Sequence, residues 1–211
     1  MEKTGYHIMK NAITIPNTVV NDFHLQIQKS AAPIFNTKRN DNRRIQRNLT
    51  VNRSNRRFMC ELNEIIQEIN PNLQAKDWTI LSSKPGCKRQ LAHLDYEYTD
   101  DFRKIIEEPE KIPLLVLVAL EPNTSIYIWS NSIEIIQQKY KGAPDAPVRI
   151  ELEPGDIFIF RADMIHAGAE YEDINVRLHC YLDSPFLHRN PNRTWIIQKH
   201  ATDYFREVIS E

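Results

Sequence analysis

The chain has 211 residues, 41% hydrophobic and 26% charged, the make-up of one domain able to bury its own core; disordered, collagen-like and disulfide-scaffold classes are excluded. The longest apolar run, Leu114 to Leu120, is far short of the roughly 20 residues of a bilayer-spanning helix. Net charge is −1, yet residues 1 to 60 carry 11 Lys/Arg against 3 Asp/Glu, which gives +8 there and leaves −9 for the rest.

Met1 to Pro16 lacks the apolar stretch and small-residue cleavage site of a secretory signal, so an intracellular protein is expected, cytoplasmic rather than nuclear, with no membrane partner. Asn17 is placed to cap a first amphipathic helix, whose apolar positions Val19, Val20, Phe23 and Ile27 recur at helical spacing. The basic excess concentrates in Lys38 to Arg57, where eight Lys/Arg face a single acid, Asp41. Two readings stand for it. It is either a solvated loop or helix face whose arginines pair with carboxylates of the acidic remainder, or a phosphate-contacting segment for nucleic acid or an acidic partner. The absence of any aromatic side chain from Lys38 to Arg57 leaves no stacking platform for bases and favours the first. A second amphipathic helix follows through Phe58, Leu62, Ile65, Ile66 and Ile69.

Beyond Asn70-Pro71-Asn72 the pattern changes to short segments rich in Ile, Val, Leu, Phe and Tyr. Eight strands are expected: Trp78 to Ser82, Arg89 to Asp95, Leu114 to Glu121, Ser125 to Trp129, Val148 to Glu153, Asp156 to Arg161, His166 to Tyr171 and Asn175 to Leu182. Asp100 to Lys111 reads as a polar, partly helical insertion, and Ala201, Tyr204, Phe205, Val208 and Ile209 suggest a last helix. The organisation is thus a helical and basic flank over residues 1–72 packed on a barrel, a β core over 73–185, and a helical extension over 186–211. In the last strand the even positions Val176, Leu178, Cys180 and Leu182 are apolar, while Asn175, Arg177, His179 and Tyr181 alternate with them, so one side packs and the other lines something polar. Cysteines 60, 87 and 180 are odd in number, with no Cys-x-x-Cys, and are expected to be incidental.

The chemistry concentrates in three places. His93 and Asp95, two apart, project to the same side of a strand; His166 follows a Glu153-Pro154-Gly155-Asp156 turn and the strand Ile157 to Phe160; Arg177 lies eleven residues further on. Two imidazoles and one carboxylate form the ligand set of non-haem Fe(II) oxygenases. With the run from Leu152 to Gly168 and Arg177 in place, the sequence resembles the Fe(II)/2-oxoglutarate-dependent dioxygenase superfamily, most closely its phytanoyl-CoA-dioxygenase-like branch, over Trp78 to Pro185.

That resemblance implies a mainly β fold with flanking helices, a double-stranded β-helix or jelly-roll, cupin-like barrel with the metal in its mouth. It implies that His93, Asp95 and His166 hold Fe(II) as metal and catalytic residues and that Arg177 pairs with the distal carboxylate of 2-oxoglutarate. O2 as second co-substrate would then drive decarboxylation to succinate and CO2, coupled to substrate hydroxylation. His179, Tyr181 and Tyr127 are further candidates for the cavity or for orienting the co-substrate, with Tyr96 behind them; for His179 and Tyr181 a role in the core is equally open. His-x-His cupins, the nucleic-acid demethylases with a second arginine where Asp183 stands, and prolyl hydroxylases with lysine where Arg177 stands fit less well; so do Gly-x-Ser-x-Gly hydrolases. The function expected is an oxygenase, a hydroxylase of a small molecule or peptide rather than of nucleic acid. A non-catalytic β-helix using Lys38 to Arg57 for binding is the alternative. The sequence leaves the oligomeric state open.

Overall fold

The computed structural model describes residues 4–34, 43–97, 99–130, 132–133, 146–185, 187 and 195–196. In chain order its elements are β1 (Tyr6–Met9), α1 (Asn17–Lys29), β2 (Ala32–Pro33), β3 (Arg44–Asn48), α2 (Arg56–Ile69), β4 (Gln74–Ser83), β5 (His93–Leu94), α3 (Asp100–Ile106), a 3-10 turn (Pro109–Lys111), β6 (Leu114–Ala119), β7 (Thr124–Ile128), β8 (Val148–Leu152), β9 (Ile157–Arg161), β10 (His166–Gly168), β11 (Asn175–Asp183) and β12 (Trp195–Ile196). All pairings are antiparallel and fall into two sheets, ordered β1-β9-β6-β11-β4-β3-β2 and β12-β5-β10-β7-β8.

The alternation in β11 sets the layers. Its even residues Val176, Leu178, Cys180 and Leu182 join Val116, Val118, Ile157 and Ile159 in a core that also takes Val19, Phe23 and Ile27 of α1 and Phe58, Leu62 and Ile66 of α2. The two helices therefore cover the outer face of the seven-stranded sheet. The inner face meets the five-stranded sheet in a second core of Leu115, Leu117, Ile126, Ile128, Phe158 and Phe160. α1 begins at Asn17 with Pro16 in the capping position; the Pro16 carbonyl accepts from Val19 and Val20, and the Asn17 side chain makes no cap bond. The proline's extended backbone occupies the cap position for which Asn17 was expected.

All eight expected strands are present; β5 and β10 are much shorter than read, and β6, β8 and β9 are shorter by one or two residues. Arg89 to Asp95 yields only β5, because Gln90 turns inward: its N–H donates to the Gly168 carbonyl at 2.9 Å and its Oε1 accepts from the Gly168 N–H at 2.8 Å. A side chain thus completes pairing that a strand ladder would have made. A Cβ on residue 168 would overlap that oxygen, which is why a glycine stands there. The Pro-Gly-Asp turn is likewise structural. Gly155 sits at φ 94°, where side chains are strained, and the buried Asp156 carboxylate accepts from Lys10 Nζ at 2.6 Å and from the Asn11 and Glu153 N–H groups. This latch ties β1 to the start of β9 and fixes the approach to His166.

Part of the basic segment is a strand rather than the loop or helix face expected. Lys38 to Asn42 lie outside the described residues, but Arg44 to Asn48 form β3, hydrogen-bonded to β4 inside the larger sheet. Arg44 is fully buried and donates to the carbonyls of Lys88 (2.6 Å) and Ala169; Arg47 donates to the Gln26 carbonyl at 2.6 Å, and Arg43 to that of Pro85. These arginines are held by backbone carbonyls, not by the carboxylates expected, because the strand lays them against loop and helix ends whose carbonyls need donors. Arg53, Arg56 and Arg57 are exposed. Residues 195–196 of the C-terminal extension pair with β5; the helix expected around Tyr204 lies outside the described residues. Among the described residues no helix is long and apolar enough to cross a membrane.

Arg44→Met keeps side-chain bulk but deletes charged hydrogen bonds worth about 1.5–3 kcal/mol each. In urea unfolding it should cost about 2–4 kcal/mol, against about 0.5 kcal/mol or less for Arg53→Met on the surface.

Candidate active site

Register brings the chemistry together. His166 of β10 lies directly opposite His93 of β5, so the two rings meet edge to face with centroids 4.4 Å apart, and Phe160 of β9 packs 4.9 Å from the His166 ring. Asp95, just past β5, returns its carboxylate between them: Oδ1 is 3.8 Å from His93 Nε2 and Oδ2 is 3.8 Å from His166 Nε2. One ligand atom from each of the three residues lies within 4.8 Å of the others, and all three side chains are buried.

The tautomers follow from backbone acceptors. His93 Nδ1 is 2.6 Å from the Leu91 carbonyl and His166 Nδ1 is 3.1 Å from that of Met164; a carbonyl only accepts, so each Nδ1 carries the proton and each Nε2 turns its lone pair to the carboxylate. Burial, reinforced by the neighbouring His166, lowers the His93 pKa to about 4, which keeps the ring neutral and ready to ligate at pH 7. Burial alone would raise the Asp95 carboxyl, but His166, His93 and His179 and the Tyr181 hydroxyl together bring it below its ordinary value. Two imidazole lone pairs and a carboxylate oxygen suit a divalent first-row metal. The Tyr181 hydroxyl donates to Asp95 Oδ2 at 3.1 Å, and His179 Nε2 lies 4.0 Å from the same oxygen.

Deeper in the same cavity lies Arg177, 3% exposed. Its Nη1 donates to Ser83 Oγ at 3.0 Å and Asn175 Oδ1 at 3.4 Å, and its guanidinium sits 5.3 Å from the Tyr171 ring centroid. Among the described residues it has no carboxylate partner. Burial and the nearby Arg44 charge lower its pKa from the usual arginine value. Leu81, Leu117, Ile126 and Phe160 line the remaining walls. The cavity volume is about 100 Å³. A small anion fits beside the metal ligands, and anything larger must enter at the mouth.

His93, Asp95, His166, Arg177, His179 and Tyr181 all line this cavity. Tyr127 does not. Strand alternation turns it to the opposite face of β7, where its ring lies 4.7 Å from the Arg89 guanidinium and its hydroxyl donates to Glu170 at 2.9 Å. Tyr96 also leaves the site: it is buried, stacked on Phe102 with centroids 5.5 Å apart and bonded to Asp183. Sequence reasoning missed Ser83, Gln90, Gln46 and Asn48; an alternation Arg44, Gln46, Asn48 against Ile45 was the one available signal for the last two.

No protein-family model matches the sequence, and no curated protein is similar to it. Solved structures are. A prolyl hydroxylase from Trichoplax adhaerens, in complex with a hypoxia inducible factor peptide fragment, is 12% identical with a TM-score of 0.62 over 87% of this chain and 85% of that one. The epimerase SnoN from nogalamycin biosynthesis, in complex with Fe3+, alpha ketoglutarate and nogalamycin RO, is 11% identical (TM-score 0.59, 94% and 92%), and HygX from Streptomyces hygroscopicus, with nickel and 2-oxoglutarate, is 10% identical (0.58, 89% and 86%). The fold is the double-stranded β-helix. Its two sheets are the barrel walls, and the cavity just described lies between them.

Two outcomes check the site. Tyr181→Phe removes the hydrogen bond to Asp95 and should weaken Mn(II) binding about tenfold by calorimetry, while circular dichroism stays unchanged. In the metal-free protein, His93 takes its proton near pH 4 when folded and near 6.5 when unfolded, so between those values the unfolded chain binds the extra proton. Stability should therefore fall as pH drops through that window, by up to about 3 kcal/mol from this group. Urea melts from pH 7 to 4.5 should show a shallower dependence for His93→Gln.

Proposed function

We propose that the chain is an Fe(II)/2-oxoglutarate-dependent oxygenase that hydroxylates a small molecule or peptide. The observation that carries this is one buried cavity holding two imidazoles and a carboxylate within 4.8 Å of one another, next to a buried guanidinium with no carboxylate partner among the described residues. In this reading His93 Nε2, His166 Nε2 and an Asp95 oxygen hold Fe(II), and Tyr181 keeps the Asp95 carboxylate in place. Bound there, the metal would supply O2 activation coupled to decarboxylation of 2-oxoglutarate to succinate and CO2.

The chain's own groups do the rest. Arg177 binds the distal carboxylate of 2-oxoglutarate through its remaining donors, with Ser83 and Asn175 setting the plane of the fork and Tyr171 backing it. Arg44, behind Gly168, adds positive potential without reaching the cavity. The apolar walls exclude water, which strengthens these interactions. Within the basic segment Arg43, Arg44 and Arg47 already donate to carbonyls of the chain, which weakens the case for them as phosphate contacts.

Anaerobic calorimetry with Mn(II), then 2-oxoglutarate, followed by succinate detection with Fe(II) in air, tests the reading. 2-Oxoglutarate should bind only after metal, and Arg177→Ala should raise its Kd at least tenfold while changing metal affinity less than twofold. Equal loss of both would make Arg177 a structural strut.

A further inference from the structure

A groove of about 690 Å³ opens from the cavity mouth. The two share Ile34, Gln46 and Asn48, so they are continuous. Ser30, Ala31, Ala32 and Pro33 form one wall, all with short side chains that leave room for a chain to lie in. Gln46 and Asn48 form the floor. They are two apart on β3, on the face shared with Leu81 and Thr79 of β4 and with Arg177 and His179 of β11. Among the described residues neither side chain has a hydrogen-bond partner; Gln46 is half-buried and Asn48 is exposed at the mouth.

Their spacing carries chemical information. Side chains two apart on a strand repeat every 6.6–6.8 Å or so, the same repeat at which an extended peptide presents alternate backbone amides. A carboxamide offers one donor side and one acceptor side, which matches a peptide N–H and C=O reciprocally and gives little to an anion that lacks donors. The neighbouring sheet edge does not compete for the role: β2 is two residues long and one of them is Pro33, which has no N–H to offer an added strand.

We infer that the groove floored by Gln46 and Asn48 binds an extended peptide segment by its backbone amides and feeds the target residue to the His93, Asp95 and His166 centre. This deepens the proposed function and rests on it for the hydroxylation, though not for the binding. The floor itself carries no charge, and Arg47, which also lines the groove, already donates to the Gln26 carbonyl.

The test separates binding from chemistry. A photoreactive residue at Ala31, on the groove wall, is irradiated in the full chain with a pool of synthetic neutral nonapeptides, and capture is read by mass spectrometry without turnover. Peptides should be captured, and Gln46→Leu with Asn48→Leu should reduce capture at least tenfold, with Mn(II) and 2-oxoglutarate titrations and the unfolding midpoint measured on the same variant as fold controls. Ala32→Trp, which fills the groove and leaves both amides intact, should reduce capture comparably. With Fe(II), 2-oxoglutarate and air, captured peptides should gain one oxygen. Absence of capture, or capture indifferent to both variants, overturns the inference, as does oxygen incorporation into coenzyme A thioesters or oligonucleotides but not peptides. Amide-dependent capture without metal or 2-oxoglutarate binding would instead sink the oxygenase reading and leave the peptide groove standing.

Discussion

A guanidinium 3% exposed with no carboxylate beside it is the constraint around which the site is organised. Removing such a charge from water costs several kcal/mol even after relaxation, and dipoles alone offset only part of it. The fold gathers those dipoles by register: Ser83 of β4 stands opposite Asn175 of β11, one row from Arg177, and Tyr171 turns its ring to the charge. A second cation, Arg44, is tied to backbone carbonyls close enough to lower the Arg177 pKa further. The balance left over favours a bound anion in the cavity, which His93, Asp95 and His166 also line.

The metal end obeys a related rule. His93 and His166 can be buried together because each donates its Nδ1 proton to a carbonyl two residues earlier, and burial keeps the His93 ring neutral. That pattern follows from strand geometry, since both histidines begin short strands that pair with one another. Tyr181 and His179, two apart on β11, reach the Asp95 carboxylate from the facing sheet. The centre is therefore clamped from both sheets, and its geometry depends on the separation that the apolar residues between them maintain.

The strongly periodic parts of the sequence were legible. The split of β11 into an apolar and a polar face read correctly because every even residue from Val176 to Leu182 is apolar, and that one strand fixed which sheet face holds the site. His93, Asp95 and His166 were readable from spacing and residue type together. Arg44 was not, because seven neighbouring basic residues hide it and nothing in composition distinguishes a buried arginine from a solvated one. Tyr127 was misplaced for the opposite reason. An aromatic residue between Ile126 and Ile128 looks like cavity lining until the register with Ala167 and Gly168 shows which face it takes. The strand Arg89 to Asp95 was read too long because Gln90 satisfies Gly168 with a side chain, a substitution that periodicity cannot register.

β3 shows why the flank matters more than its composition suggests. Its outward residues serve the helical layer: Ile45 packs against the outer core, and Arg47 donates to the Gln26 carbonyl of α1. Its inward residues grade in exposure from fully buried Arg44, outside the cavity, through half-buried Gln46 to exposed Asn48, the last two lining it. Adjacent positions two residues apart therefore do different physical work, charge at one end and uncharged hydrogen bonding at the other. Solved structures 10–13% identical to this chain share the barrel at TM-scores of 0.58–0.62. A fold that tolerates such divergence is held by alternation and core volume rather than by particular side chains. What individualises this chain is then to be sought where a strand outside the recognised core faces the cavity, and β3 is such a strand.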